Sequence, residues 1–109
     1  MVTRVLIISH GESIANCEKF FAGQSNIQLT ELGKNQARLA ADVLKEMHID
    51  KVFSSTLDRA YYTALPFAED RGMTVERIPE FVERDCGDWT GRSFEEVERL
   101  YPEERRLWR

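Results

Sequence analysis

Residues 1–109 predict an α/β architecture, a mostly parallel sheet flanked by helices. Three observations carry that expectation. Elements alternate in the order β-α-β-α-β-α, and such alternation feeds strands into one sheet through helical crossovers. Val5, Leu6, Ile7 and Ile8 form an unbroken apolar run of the kind found in strands buried on both faces. A chain of 109 residues supports one domain with a modest core, spanning positions 1–109.

The elements follow in order. Residues 4–8 predict the first strand. A polar loop runs from Ser9 to about Gln28, with Phe20 and Phe21 inside it and the turn formers Gly23, Ser25 and Asn26. Thr30 is a suitable N-cap for the next helix. That helix carries an apolar stripe of Leu32, Leu39, Ala40, Val43, Leu44 and Met47 and stops near His48. Val52 and Phe53 begin a second short strand ending in Ser54 and Ser55. A helix over residues 57–71 sets Ala60, Ala64, Phe67 and Ala68 on one side. Pro66 is expected to kink it or to start a second segment, and Gly72 stops it. Residues 74–78 predict the third strand, closed by Pro79. A loop over residues 80–92 holds Gly87, Trp89 and Gly91. Ser93 with Glu96 forms a capping box for the next helix, and Pro102 starts a further turn.

Composition narrows the functional classes. The chain has 15 Lys and Arg against 19 Asp and Glu, a formal charge of −4. That balance argues against a nucleic-acid partner, where a basic face is expected. Cys17 and Cys86 fit no zinc or redox spacing, and two free thiols suit a reducing compartment. Arg4 interrupts the apolar start, so no signal peptide is read there, and no run reaches membrane-spanning length. A cytoplasmic protein with no membrane partner is the expectation.

The chemistry collects at one edge of the predicted sheet. His10 follows the first strand, and Gly11 allows a tight turn and close backbone approach. Arg59 lies one helical turn beyond the second strand, and Glu83 follows the third. Strand ends of a parallel sheet share one edge, which brings these three positions together. A guanidinium binds phosphate in bidentate fashion. An imidazole beside bound phosphate can act as a nucleophile, and a carboxylic acid can protonate a leaving oxygen. Each residue also has a structural alternative. Arg59 could be a surface arginine, Glu83 one of several solvated acids in its loop, and Asn16 a turn cap. Trp89 and Trp108 read as packing residues.

Four stretches, in order, resemble the histidine phosphatase superfamily in its phosphoglycerate mutase-like branch. They are His10, Gly11, Glu12 and Ser13 with Asn16; Leu29 to Gly33 with Gln36 and Ala37; Ser54 and Ser55 with Arg59, Ala60, Thr63 and Ala64; and Glu83 with Gly87, Trp89 and Gly91. The resemblance covers essentially the whole chain. It implies a phosphoglycerate mutase-like fold and a phosphomonoester phosphatase, or mutase, working through a phosphohistidine. His10 would be the nucleophile, and Glu83 the acid and then the base. Arg59, Asn16, Ser9 and Gly11 would contact phosphate. The substrate would be a small phosphorylated metabolite, and inorganic phosphate would also bind. No metal or cofactor is implied, because the cationic pocket itself stabilises the phosphoryl charge.

Two departures qualify this. The family has arginine before the nucleophilic histidine, where this chain has Ser9. Losing such a charge-assisted contact costs on the order of 3 kcal/mol, or ~100-fold in rate. The family also has a second histidine, in a His-Gly pair on a later strand beside strand one. This chain has only His10 and His48, and His48 stands in the wrong context. The expectation is therefore a domain incomplete at its C-terminal strands, with activity weakened or lost. The alternatives are a non-catalytic phosphate-binding module and a truncated fragment of a longer phosphatase. An unpaired edge on strand one would favour a homodimer.

Overall fold

The computed structural model describes residues 2–108; positions 1 and 109 lie outside the described residues. The elements are α1 (Ile14–Glu18), α2 (Glu31–Val43), β1 (Val52–Ser54), α3 (Asp58–Asp70), β2 (Val75–Arg77), α4 (Phe94–Leu100) and α5 (Pro102–Trp108), with single 3₁₀ turns at Pro79–Phe81 and Gly87–Trp89. β1 and β2 pair in parallel, Val52 opposite Val75 and Ser54 opposite Arg77. The α/β architecture with a parallel sheet is therefore present, and α3 is the crossover between its two strands.

The expected strand over residues 4–8 does not form. These residues carry no ladder, and Val5 and Ile7 are 78% and 88% exposed. The physical reason is pairing. A strand exists only where its N–H and C=O groups meet a neighbour, and among the described residues the sheet is β1 and β2 alone. Apolar content predicted burial, but burial needed flanking strands.

α2 corrects a second expectation. Thr30 caps it as foreseen, its side chain accepting from the Gly33 N–H. The predicted stripe does not face inward, however, since Leu32, Leu39 and Val43 are exposed. The buried face is the small one, Gly33, Ala37 and Ala41, spaced four residues apart. Small side chains let α3 pack close, with its buried Phe67 and Ala68. Two arginines tie the pair. Arg38 of α2 reaches Asp70. Arg71 donates to the Leu44 and Lys45 carbonyls at 2.8 Å each. α3 continues through Pro66 without ending.

The expected loop over residues 9–28 contains an unforeseen helix. In α1, Ser13 and Asn16 form a capping box and Lys19 closes the turn in the left-handed region. The capping box at Ser93 is met in part, because the Ser93 hydroxyl accepts from the Glu96 N–H. Phe21 packs edge-on to Phe94 at 4.8 Å and near Trp89 at 5.3 Å, joining this segment to the C-terminal helices.

The radius of gyration is 16.0 Å, against roughly 13 Å for a compact chain of this length. An open shape agrees with the exposed apolar residues of segment 4–8 and of α2. Among the described residues no helix is long and apolar enough to cross a membrane.

Candidate functional site

Two close approaches lock the loop after residue 9 against the start of α2. A Cβ on Gly11 would lie 2.5 Å from the Gly33 carbonyl oxygen, and a Cβ on Gly33 would collide with the Glu12 carbonyl. The contact is sealed by Thr30 donating its N–H to Glu12 O at 2.9 Å and Ile14 donating to Gln28 O at 2.9 Å. Both glycines are buried.

This lock presents His10, which is half-buried. Its Nδ1 lies 2.6 Å from the Gly11 carbonyl oxygen. A carbonyl only accepts, so Nδ1 carries the proton and donates it. Nε2 then holds an uncommitted lone pair, the requirement for a nucleophile. Gly11 donates its N–H to Thr63 Oγ1 at 3.0 Å, and that hydroxyl donates to the Arg59 carbonyl at 2.6 Å. Thr63 thereby joins the histidine loop to α3.

Arg59 is 2% exposed. Its Nη1 donates to Ser25 O at 2.7 Å and its Nη2 to Gly23 O at 2.6 Å. The guanidinium has five N–H donors in a fixed fork, so the two carbonyls orient it and leave donors for an anion. Burial pulls its pKa down from the ordinary arginine value, while the charges of Glu83 and Cys86 pull it back up. An arginine remains a cation under such opposing pulls.

A cleft of 210 Å³ is bordered by His10, Asn16, Arg59 and Glu83, with Phe94 and Trp108 on its apolar side. Four of the predicted site residues thus meet in one place. Asn16 does the capping foreseen as its structural alternative and also borders the cleft. Its Oδ1 accepts from the Ser13 N–H and hydroxyl at 3.0 Å each, which leaves the amide hydrogens as its donors. Glu83 is exposed, its Oε1 accepting from the Arg84 N–H at 2.8 Å and its carbonyl from Gln24 Nε2 at 3.0 Å. Cys86 borders the cleft as well. Burial, with the charge of Glu83, pushes its thiol up, away from the reactive thiolate form.

Ser9 and Gly11 lie elsewhere. They border a neighbouring hollow of 230 Å³ with Gln36 and Thr63, and His10 lies on the boundary of both spaces. Ser9 is exposed and adds no charge to the Arg59 cleft. Among the described residues no three of His, Cys, Asp and Glu group as metal ligands.

Sequence reasoning gave no role to the carbonyls of Gly23 and Ser25, to Thr63, or to Gly33. A loop carbonyl carries no side-chain signal. Thr63 stood within a quoted motif, and its place four residues after Arg59 was the available clue.

The profile of the Histidine phosphatase superfamily (branch 1) matches residues 5–109. The chain is 37% identical over 107 residues to phosphoserine phosphatase 1 of Hydrogenobacter thermophilus, covering 98% of this chain and 51% of that protein. It is 34% identical over 106 residues to glucosyl-3-phosphoglycerate phosphatase of Mycobacterium tuberculosis, covering 97% and 48%. The solved mycobacterial glucosyl-3-phosphoglycerate phosphatase in complex with VO3 superposes with a TM-score of 0.87 at 34% identity, over 91% of this chain and 49% of that one. Phosphoserine phosphatase from Entamoeba histolytica, in complex with 3-phosphoglyceric acid, superposes with a TM-score of 0.73 at 36% identity, over 82% and 44%. The chain spans about half the length of the curated relatives it matches. With His10 and a carbonyl-held Arg59 bordering one cleft, and a profile that runs through every element described, the chain belongs to the histidine phosphatase superfamily, branch 1.

Proposed function

We propose that this chain supplies the nucleophile, the phosphate clamp and the acid of a phosphomonoester phosphatase acting on a small phosphorylated metabolite. One observation carries the reading: the Nδ1–Gly11 O bond leaves Nε2 of His10 as the nucleophilic nitrogen, and His10 borders the cleft that Arg59 also borders. Nε2 attacks phosphorus, the P–N bond forms and the P–O bond to the alcohol breaks. Glu83, as the carboxylic acid, gives its proton to the leaving oxygen. Water then attacks phosphorus and gives a proton to the Glu83 carboxylate. The P–N bond breaks, and histidine and inorganic phosphate are released. Arg59 donors hold the phosphoryl oxygens throughout. Asn16 contributes an amide N–H donor and Gly11 the turn that places His10. Hydrolysis is favoured over mutase chemistry, since nothing marks a second phosphate site. The free thiols of Cys17 and Cys86 suit a cytoplasmic setting.

The second reading is a phosphate-binding module with weak or absent turnover. It is favoured by the position of Ser9 outside the cleft. One experiment separates the two. The chain is incubated with a chromogenic phosphomonoester and quenched in alkali, which preserves a phosphoramidate. The enzymatic reading expects released alcohol and a phosphoprotein, both abolished by His10→Ala. Phosphate binding measured by calorimetry, without either product, overturns it in favour of the binding module.

The unpaired segment 4–8 supports self-association as a further element of this proposal, because an apolar row without a ladder is a template for strand addition.

A further inference from the structure

The loop over residues 23–28 touches both Arg59 and the Glu83 segment. The carbonyls of Gly23 and Ser25 hold the Arg59 guanidinium, and Gln24 Nε2 donates to the Glu83 carbonyl. The far end of the loop is held in turn by Asp58, the residue immediately before Arg59. Asp58 Oδ2 accepts from Asn26 Nδ2 at 3.1 Å and from Gln28 Nε2 at 2.9 Å, while the Asp58 N–H donates to Asn26 Oδ1 at 2.8 Å. Arg77 of β2 approaches Asp58 Oδ1 at 3.5 Å and donates to the Thr56 carbonyl at 3.2 Å. Its guanidinium also lies over the Tyr61 ring at 3.7 Å. Asp58 itself does not border the cleft.

We propose that Asp58 is a positioning residue: by gripping Asn26 and Gln28 it fixes the loop whose carbonyls aim Arg59 at the anion. It acts through the loop and touches neither phosphate nor His10. Two amide–carboxylate bonds and the Asp58 N–H bond to Asn26 Oδ1 fix the loop at three side-chain atoms, and the carboxylate supplies two of the three. Without them the two carbonyls are free to shift, and the arginine fork shifts with them. Small displacements of a positioned group are costly. The inference rests on Arg59 being the phosphate clamp, and the test keeps the two ideas separable.

Two measurements are made on the full chain and on Asp58→Ala, Asp58→Asn and Asn26→Ala. The first is protection of the Arg59 Nη protons from solvent exchange by nitrogen-detected NMR, without ligand. The second is calorimetric titration with inorganic phosphate at a temperature where all variants are folded. The expected result is loss of Arg59 protection in Asp58→Ala, with phosphate bound about tenfold more weakly. Asp58→Asn recovers most of both, because its amide oxygen still accepts. Should Asp58→Ala fail to fold, Asp58→Asn and Asn26→Ala carry the comparison. Protection equal to the parent in every folded variant overturns the inference, whatever happens to phosphate. Protection that depends on Asp58 in a parent that binds no phosphate upholds the positioning role and overturns the phosphate clamp.

Discussion

Arg59 shows how a buried cation is made tolerable. It is almost fully enclosed, and among the described residues no carboxylate is hydrogen-bonded to it; two backbone carbonyls satisfy part of its fork. Arg59→Met takes the arginine donor from both carbonyls, Ser25 O keeping the Ile27 N–H at 3.0 Å, at a cost of about 1–3 kcal/mol, read as a lower urea midpoint together with loss of phosphate binding. Asp58 next to it gives a pH signature. The amides of Gln28 and then Asn26, with the charge of Arg77, hold its carboxyl below the ordinary aspartate value. A depressed folded pKa contributes stability that is full above the unfolded pKa and lost as pH falls through the folded one. The difference in melting temperature between the parent and Asp58→Asn should therefore be steady above about pH 5 and shrink below about pH 4. A difference that stays constant down to pH 2 would contradict the assigned cause. That His10, Arg59 and Glu83 border one cleft was expected from motif order, although the strand that was to deliver His10 does not form. The carbonyl partners of Arg59 were not, since every residue has a carbonyl.

Helix α2 argues against reading amphipathicity by hydrophobicity alone. Its bulky residues Leu32, Leu39 and Val43 point out, and Gly33, Ala37 and Ala41 pack inward. The stripe of large residues was the louder signal, but closeness to α3 and to the His10 loop rewards small ones. Gly33 carries most of that constraint. Gly33→Ala should destabilise the chain by about 1–3 kcal/mol, the cost of forcing an overpacked contact. Chemical denaturation measures this, and an unchanged midpoint would mean that the loop moves aside freely. The start of α2 and the boundaries of α3, β1, β2 and α4 followed closely from caps, glycines and prolines, whereas α2 ends at Val43, short of the expected stop near His48. α1 escaped notice because one turn of helix leaves no periodicity, although Ser13 and Asn16 spelled its cap.

Across the chain, polar assembly outruns apolar burial. Hydrogen bonds tie together the cleft segments 10–16, 23–28, 59–63 and 83–84, whereas residues 4–8 present Val5 and Ile7 to solvent. If segment 4–8 drives self-association, Ile7→Lys should shift light scattering toward monomer while the phosphate affinity stays within about twofold, since Ile7 borders neither space around His10. A parent that is monomeric at all concentrations would remove the self-association proposal. The missing first strand was illegible locally, because the apolar run is correct for a strand and its ladder partners are not encoded in it.

Thr63 makes the two halves of the anion site mechanically dependent on each other. Its hydroxyl accepts from the Gly11 N–H and donates to the Arg59 carbonyl four residues back, a spacing that the wound α3 provides. The tie between the histidine loop and the helix that carries the arginine therefore needs that helix in place. One hydroxyl thus couples the segment of the nucleophile to the segment of the clamp, and a strain on either is passed to the other.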